Sequence, residues 1–226
     1  MQIKHIFFDL DHTLWDFETN SDLAFKKTFQ NLQFKVDLTK FLNYYRPINL
    51  KYWKLYREEK VTKTQLRYGR LRETFDFLKI EVTDELIEAI SVEYIRVLPE
   101  NNQLFDGTNE ILEHLSLKYQ MHIITNGFQE VQHLKLEKSG ISHFFNQIIT
   151  SESAGVQKPH PDIFHHAMNV ANTTPQESIM IGDNWEADIM GAYHAGMNVI
   201  FFNYHQEPVG ENIKSITHLL QLKQYL

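Results

Sequence analysis

Ile3-Lys4-His5-Ile6-Phe7-Phe8-Asp9-Leu10-Asp11-His12-Thr13-Leu14 is the stretch from which the rest of the chain is read. Ile3 to Phe8 is short, apolar, and β-branched or aromatic, which predicts a buried strand. The strand ends on one acid, and a second follows two residues later. At that spacing both carboxylates leave the extending chain on the same side.

Outward from this strand the character of the sequence changes twice. Residues 16–99 show helical patterns and no convincing strand. Thr62-x-x-Gln65 is a capping-box signature, and Leu66, Leu71, Phe75 and Leu78 after it are spaced for one helical face. Leu86, Ile87, Ile90, Tyr94, Ile95 and Leu98 mark another. Pro47 is expected to break or kink the helix between Leu38 and Lys60.

Beyond Pro99 the pattern alternates. A helix over about 107–118 leads to a strand at Met121-His122-Ile123-Ile124, then a helix over about 129–138 ended by Gly140. A strand at Gln147-Ile148-Ile149 precedes a helix over about 161–171, and Thr174-Pro175-Gln176-Glu177 opens a short helical turn. The strand Ile179-Met180-Ile181 precedes a helix over about 186–195 ended by Gly196, and a strand from Asn198 to Phe202 precedes a C-terminal helix. Strand–helix alternation means parallel βαβ units with helices on both faces. The predicted fold is therefore α/β: a doubly wound, parallel, five-stranded Rossmann-like sheet with a helical cap domain. The core takes residues 1–15 and 100–226, and the cap takes 16–99.

Composition bounds the function. The 226 residues allow one large domain or one carrying an insert. No cysteine is present, which excludes a disulfide scaffold, a thiolate metal site and a cysteine nucleophile. The formal net charge of −7 argues against a nucleic-acid polymer as partner. It leaves an anionic small substrate open, because a local cation inverts the field of a site. No stretch approaches the roughly 18 apolar residues of a membrane span, so a cytoplasmic protein that meets no membrane is expected. The twelve histidines show no metal-ligand spacing.

Four groups fall at the C-terminal ends of predicted strands, the edge where ligands bind in open α/β sheets. Asp9-Leu10-Asp11 alone is equally a strand-end turn with solvated acids. Thr125-Asn126-Gly127 offers a hydroxyl and backbone N–H groups to a phosphate, or is an ordinary helix cap. Lys158-Pro159 supplies a compact cation suited to phosphate, as any surface lysine would. Gly182-Asp183-Asn184-Trp185-Glu186-Ala187-Asp188 flanks a helix start, where an acidic first turn is favoured by the helix dipole in any case.

Taken together and in this order, Asp9-x-Asp11-x-Thr13-Leu14, Thr125-Asn126-Gly127, Lys158-Pro159 and Gly182-Asp183-Asn184-x-x-x-Asp188 resemble the four signature motifs of the haloacid dehalogenase-like superfamily. The helical insert after the first motif resembles that superfamily's type-one cap. Two longer stretches are similar to bacterial pyrimidine 5′-nucleotidases: Phe8 to Phe17, and Thr125-Asn126-Gly127-Phe128-x-Glu130-Val131-Gln132-x-x-Lys135-Leu136. Thr150-Ser151-Glu152-x-x-Gly155-x-x-Lys158-Pro159 fits the same branch. His12 departs from the commoner Asn, with little effect expected.

The resemblance implies a Mg2+-dependent phosphatase working through an aspartyl-phosphate. It implies Asp9 as nucleophile and Asp11 as general acid and base. Thr125, Asn126 and Lys158 would hold the phosphoryl group. Mg2+ would bind to Asp9, the backbone carbonyl of Asp11, and Asp183, with Asp188 a step behind, orienting Lys158. The implied substrate is a small phosphorylated metabolite, a nucleoside 5′-monophosphate with a pyrimidine base. A sugar phosphatase or phosphomutase of the same fold, a dehalogenase, and a catalytically idle phospho-ligand binder are the rivals. Asp11 counts against the dehalogenase, whose reaction needs no second acid. The cap's aromatics, Tyr44, Tyr45, Tyr52, Trp53, Tyr56, Tyr68, Phe75 and Phe77, are read mostly as packing, with stacking on a base open to some. Oligomeric state is not legible.

Overall fold

The computed structural model describes residues 2–208 and 213–226. The described residues form two compact units, one of residues 2–17, 102–208 and 213–226 and one of residues 18–101.

In the larger unit, β1 (His5–Phe8) starts a parallel sheet. Of the helices α1 (Phe17–Asn31), α2 (Leu38–Arg57), α3 (Lys63–Leu78) and α4 (Asp84–Val97), all but the first residue of α1 belong to the second unit. The chain then alternates: α5 (Thr108–Ser116), β2 (Gln120–Thr125), α6 (Gln129–Lys138), β3 (Phe145–Thr150), α7 (Ser151–Ala154), α8 (Pro161–Val170) and β4 (Ser178–Gly182). A π-type turn over Trp185–Met190 runs into α9 (Gly191–His194), followed by β5 (Asn198–Phe202) and β6 (Lys214–Ile216). The strand order is β3-β2-β1-β4-β5-β6, every pair parallel.

Among the described residues the sheet has six strands, not the expected five, and there is no full C-terminal helix. Lys214-Ser215-Ile216 carries a single apolar side chain, so no periodicity announces a strand there. It is one because the outer edge of β5 offers unpaired backbone groups: Ile200 to Phe202 align with Lys214 to Ile216. In place of the C-terminal helix stands a short 3-10 segment, Leu219–Gln224, capped by the His218 ring accepting from the Leu220 N–H at 3.2 Å.

β1 is fully buried along its length, as a strand covered on both faces must be. Phe7 packs with Ile124, Phe164, Met180 and Phe201 on one side of the sheet. The chain leaves and re-enters this unit side by side: the Asp16 N–H donates to the Gln103 carbonyl and the Phe105 N–H to that of Leu14, both at 3.0 Å.

The helical unit has its own aromatic core. Phe25 stacks on Tyr94 at 4.2 Å and meets Tyr45 edge-on at 4.5 Å, and Phe41 lies against Phe75 at 5.4 Å. Tyr45 and Phe75 are thus packing residues, whereas Tyr44 and Phe77 stack on each other at the surface. Thr62 and Gln65 form the capping box that opens α3. α2 runs through Pro47 as one helix, with Phe41, Tyr45 and Ile48 buried on both sides of the proline. That packed face offsets the one backbone hydrogen bond the ring removes. No helix among the described residues is long and apolar enough to cross a membrane.

Candidate active site

The parallel register delivers the candidate groups to one edge. Phe8 lies opposite both Ile123 and Ile181, so the residues just after β1, β2 and β4 emerge level. The order reverses between β1 and β4, which makes that crevice the switch point of the sheet. Asp9 follows β1, Thr125 ends β2, and Asp183 follows β4.

Lys158 is the electrostatic centre. Its Nζ stands 2.6 Å from Asp9 Oδ1, 2.6 Å from Asp188 Oδ1 and 2.7 Å from the Ile124 carbonyl. Its side chain is almost completely buried. Burial alone would lower its pKa, but Asp188 and Asp9 outweigh that and hold it charged. The loop carrying Lys158 is tied down by Asn126, whose side chain accepts from the Lys158 N–H at 2.8 Å and donates to its carbonyl at 2.9 Å. Asn126 therefore fixes the lysine loop with its side chain.

Thr125 Oγ1 accepts from the Gly127 N–H at 3.0 Å and from Gln132 Nε2 at 2.8 Å. Both lone pairs are engaged, so its own O–H is left to donate outward. A Cβ on Gly127 would displace the end of the Gln132 side chain, which bonds Thr125 and Asp11.

Asp183 accepts from Thr13 Oγ1 at 3.1 Å. Asp188 Oδ2 accepts from the Asn184 N–H at 3.0 Å across the π-type turn. Gly182 again permits this fold, because a Cβ there would run into the Asp188 carboxylate. Carboxylate oxygens of Asp9, Asp183 and Asp188 all lie within 4.8 Å of one another.

Three carboxylates face one ammonium, and the surplus charge shows in their acidity. Burial first, then Asp188 among neighbouring acids, pushes Asp9 up to about 7 in spite of Lys158. Burial followed by Asp188 and Asp9 drives Asp183 well above the usual carboxylate range. Such crowding is what a divalent cation relieves. An all-oxygen donor set with no sulfur or imidazole suits a hard ion such as Mg2+. The residues present fit that group.

The Asp11 side chain turns to α6. Lys135 Nζ is 2.6 Å from its Oδ1, and Gln132 Nε2 donates to its Oδ2 at 3.0 Å. Neither Gln132 nor Lys135 stands out by residue type in the sequence. Both stand in the stretch similar to pyrimidine 5′-nucleotidases, with no role attached to them there, and their i, i+3 spacing on the helix that follows Thr125 puts both on one face.

The chain is similar to known proteins along nearly its whole length. A family model described as haloacid dehalogenase-like hydrolase matches residues 6–202. The pyrimidine 5′-nucleotidase YjjG of Escherichia coli is 31% identical over 230 residues, covering 100% of this chain and 99% of that protein. The glyceraldehyde 3-phosphate phosphatase of Methanothermobacter thermautotrophicus is 29% identical over 238 residues, covering 99% of this chain and all of that protein. The crystal structure of the HAD-hydrolase YfnB from Bacillus subtilis, bound to magnesium and described as revealing interdomain movement, superposes with a TM-score of 0.90 at 26% identity over 100% of this chain and 99% of that one. A site with two acids after β1, a buried lysine and an acid pair after β4, on a chain matched over nearly its whole length, places this protein in the haloacid dehalogenase-like hydrolase family.

Proposed function

We propose that the protein hydrolyses the phosphate monoester of a small metabolite through a covalent phosphoryl group on Asp9, with a nucleoside 5′-monophosphate as the favoured substrate. The observation that carries this reading is Asp9 itself: a buried carboxylate at the switch point, paired to Lys158, with Asp11 two residues on.

In the first step an Asp9 oxygen attacks phosphorus while the bond to the leaving oxygen breaks. The electron pair stays on that oxygen, which takes a proton from the Asp11 carboxyl. In the second step water attacks the same phosphorus and gives its proton to Asp11. The Asp9–phosphorus bond breaks, which frees the Asp9 carboxylate and leaves Asp11 protonated as at the start. Lys158 and the Thr125 hydroxyl bind phosphoryl oxygens, and Asn126 keeps the lysine loop in place. Mg2+ held by carboxylates of Asp9 and Asp183, with Asp188 close by and the Asp11 carbonyl as a further donor, would neutralise charge and polarise the phosphoryl group.

All these parts are needed. Phosphate-monoester hydrolysis demands up to ~10²¹-fold acceleration, and one general acid supplies only ~10²–10⁴.

The core handles phosphate and carries little information about the leaving group. That choice is assigned to the helical unit, read as a cap. Trp53 and Tyr56, partly exposed and 5.9 Å apart, are candidates for stacking on a base. Stacking is worth ~1–3 kcal/mol per base, or roughly 5–150-fold in kcat/KM if it is realised in the transition state. A second reading, a three-carbon sugar phosphate, is favoured by the similarity to the archaeal glyceraldehyde 3-phosphate phosphatase.

The test compares UMP, dUMP, dTMP and AMP with phosphoglycolate, glyceraldehyde 3-phosphate and hexose phosphates, with Asp9→Asn as control. A sugar or acid phosphate ahead by more than tenfold ends the nucleotidase reading and leaves the phosphatase. No turnover above Asp9→Asn on any ester ends both.

A further inference from the structure

Lys135 is a buried cation whose ion pair is with Asp11 alone among the described residues. Its side chain is 2% exposed and its ammonium stands 4.3 Å from the centroid of the Trp15 ring and 5.3 Å from that of Phe17. Burial lowers its pKa against the opposing pull of Asp11. An ammonium stripped of water in this way is costly unless its partner is well placed. Gln132, one turn earlier on the same helix, is fully buried and shares its Nε2 between Asp11 Oδ2 and Thr125 Oγ1.

Resting on the reading of Asp11 as the group that exchanges the proton, we propose that Lys135 and Gln132 are positioning residues for it. The two donors take both oxygens of one carboxyl and so fix its plane as well as its place. The shared Gln132 amide also ties Asp11 to the hydroxyl that holds the phosphoryl group. One rigid helix thereby sets the distance between the proton donor and the phosphorus it serves. Proton transfer needs heavy-atom separations of about 2.6–3.2 Å, which a short side chain free to rotate meets only part of the time. The aromatic faces of Trp15 and Phe17 hold the ammonium in turn, a cation–π arrangement that needs no further acid near Asp9.

A purely structural ion pair would stabilise the fold and affect every substrate alike. A positioning role predicts dependence on the leaving group. When the bond from phosphorus breaks, an alkyl leaving oxygen needs the Asp11 proton, whereas p-nitrophenolate departs without it.

The experiment measures kcat/KM of the full chain with Mg2+ on UMP and on p-nitrophenyl phosphate. Lys135→Met, an unbranched side chain that fits between the two rings, should lose ~10–100-fold on UMP, the usual worth of a partner that orients a functional side chain. It should lose no more than about 3-fold on p-nitrophenyl phosphate, because the first step no longer calls on Asp11. In the double variant with Asp11→Asn, the UMP rate should fall no further than in Asp11→Asn alone, since residues acting as a unit are not additive. If Lys135→Met fails to fold, Lys135→Gln, which keeps a polar end, carries the same comparison. Equal losses on both esters, or multiplicative losses in the double variant, overturn the positioning role and leave the phosphatase standing. If the wild type hydrolyses neither ester, both fall.

Discussion

His122 gives the protein a built-in sensitivity to acid that can be sized from the structure. It lies on β2 with its ring stacked on Phe7 at 4.7 Å and on His5 at 5.4 Å, and it is 1% exposed. Its Nε2 is 3.1 Å from His5 Nδ1, while its own Nδ1 has no hydrogen-bond partner among the described residues. Burial, with a smaller contribution from His5, lowers its pKa from 6.5 to about 4. The unfolded chain therefore binds a proton at this residue between about pH 6.5 and pH 4 that the folded chain refuses. Stability from this source is present above pH 6.5 and is lost as the pH falls through that window. Going from pH 8 to pH 5 should cost at most about 2 kcal/mol at this one site.

The assay is urea unfolding of the wild type and of His122→Phe at both pH values. Phe keeps the stack on Phe7 and cannot titrate. It loses the contact with His5 and adds volume, which costs about 1–3 kcal/mol at every pH. That offset moves both points equally, so the difference between the two pH values is what is read. The variant should lose about 2 kcal/mol less than the wild type on acidification. Parallel losses would show that His122 is protonated in the folded state, and the argument from burial would be wrong.

Two further outcomes concern the site. Mg2+ should raise the melting temperature of EDTA-treated protein, with about 2.7 kcal/mol gained at 100-fold excess over Kd. Asp183→Asn should remove most of that gain, and a wild-type response in the variant would exclude this residue as a ligand. Gly182→Ala puts a methyl group into the Asp188 carboxylate. It should cost about 1–3 kcal/mol in stability and ~10²-fold in turnover through the displaced Asp188 and Lys158. Wild-type turnover in this variant would refute the close packing at that turn.

The parts of this protein legible in its sequence are those written in local pattern. The run before Asp9 is a buried strand because a parallel strand covered on both faces takes apolar side chains almost throughout, with His5 satisfied by His122. The alternation after Pro99 is a parallel sheet, since parallel strands need crossover helices. Parallel strands send all their C-terminal ends to one edge, so residues that end separate strands could be read as neighbours without coordinates. Other features depended on the tertiary structure, because they join residues distant in the chain through contacts that composition does not encode. β6 is a strand only because β5 leaves an edge to pair with. His5 and His122 carry no motif, and their acid sensitivity arises from parallel pairing that stacks two rings out of water. Lys135 and Gln132 reach Asp11 across more than a hundred residues because α6 packs its inner face against the turn after β1. The sequence records the donors and their helical spacing, but only packing decides which carboxylate they meet.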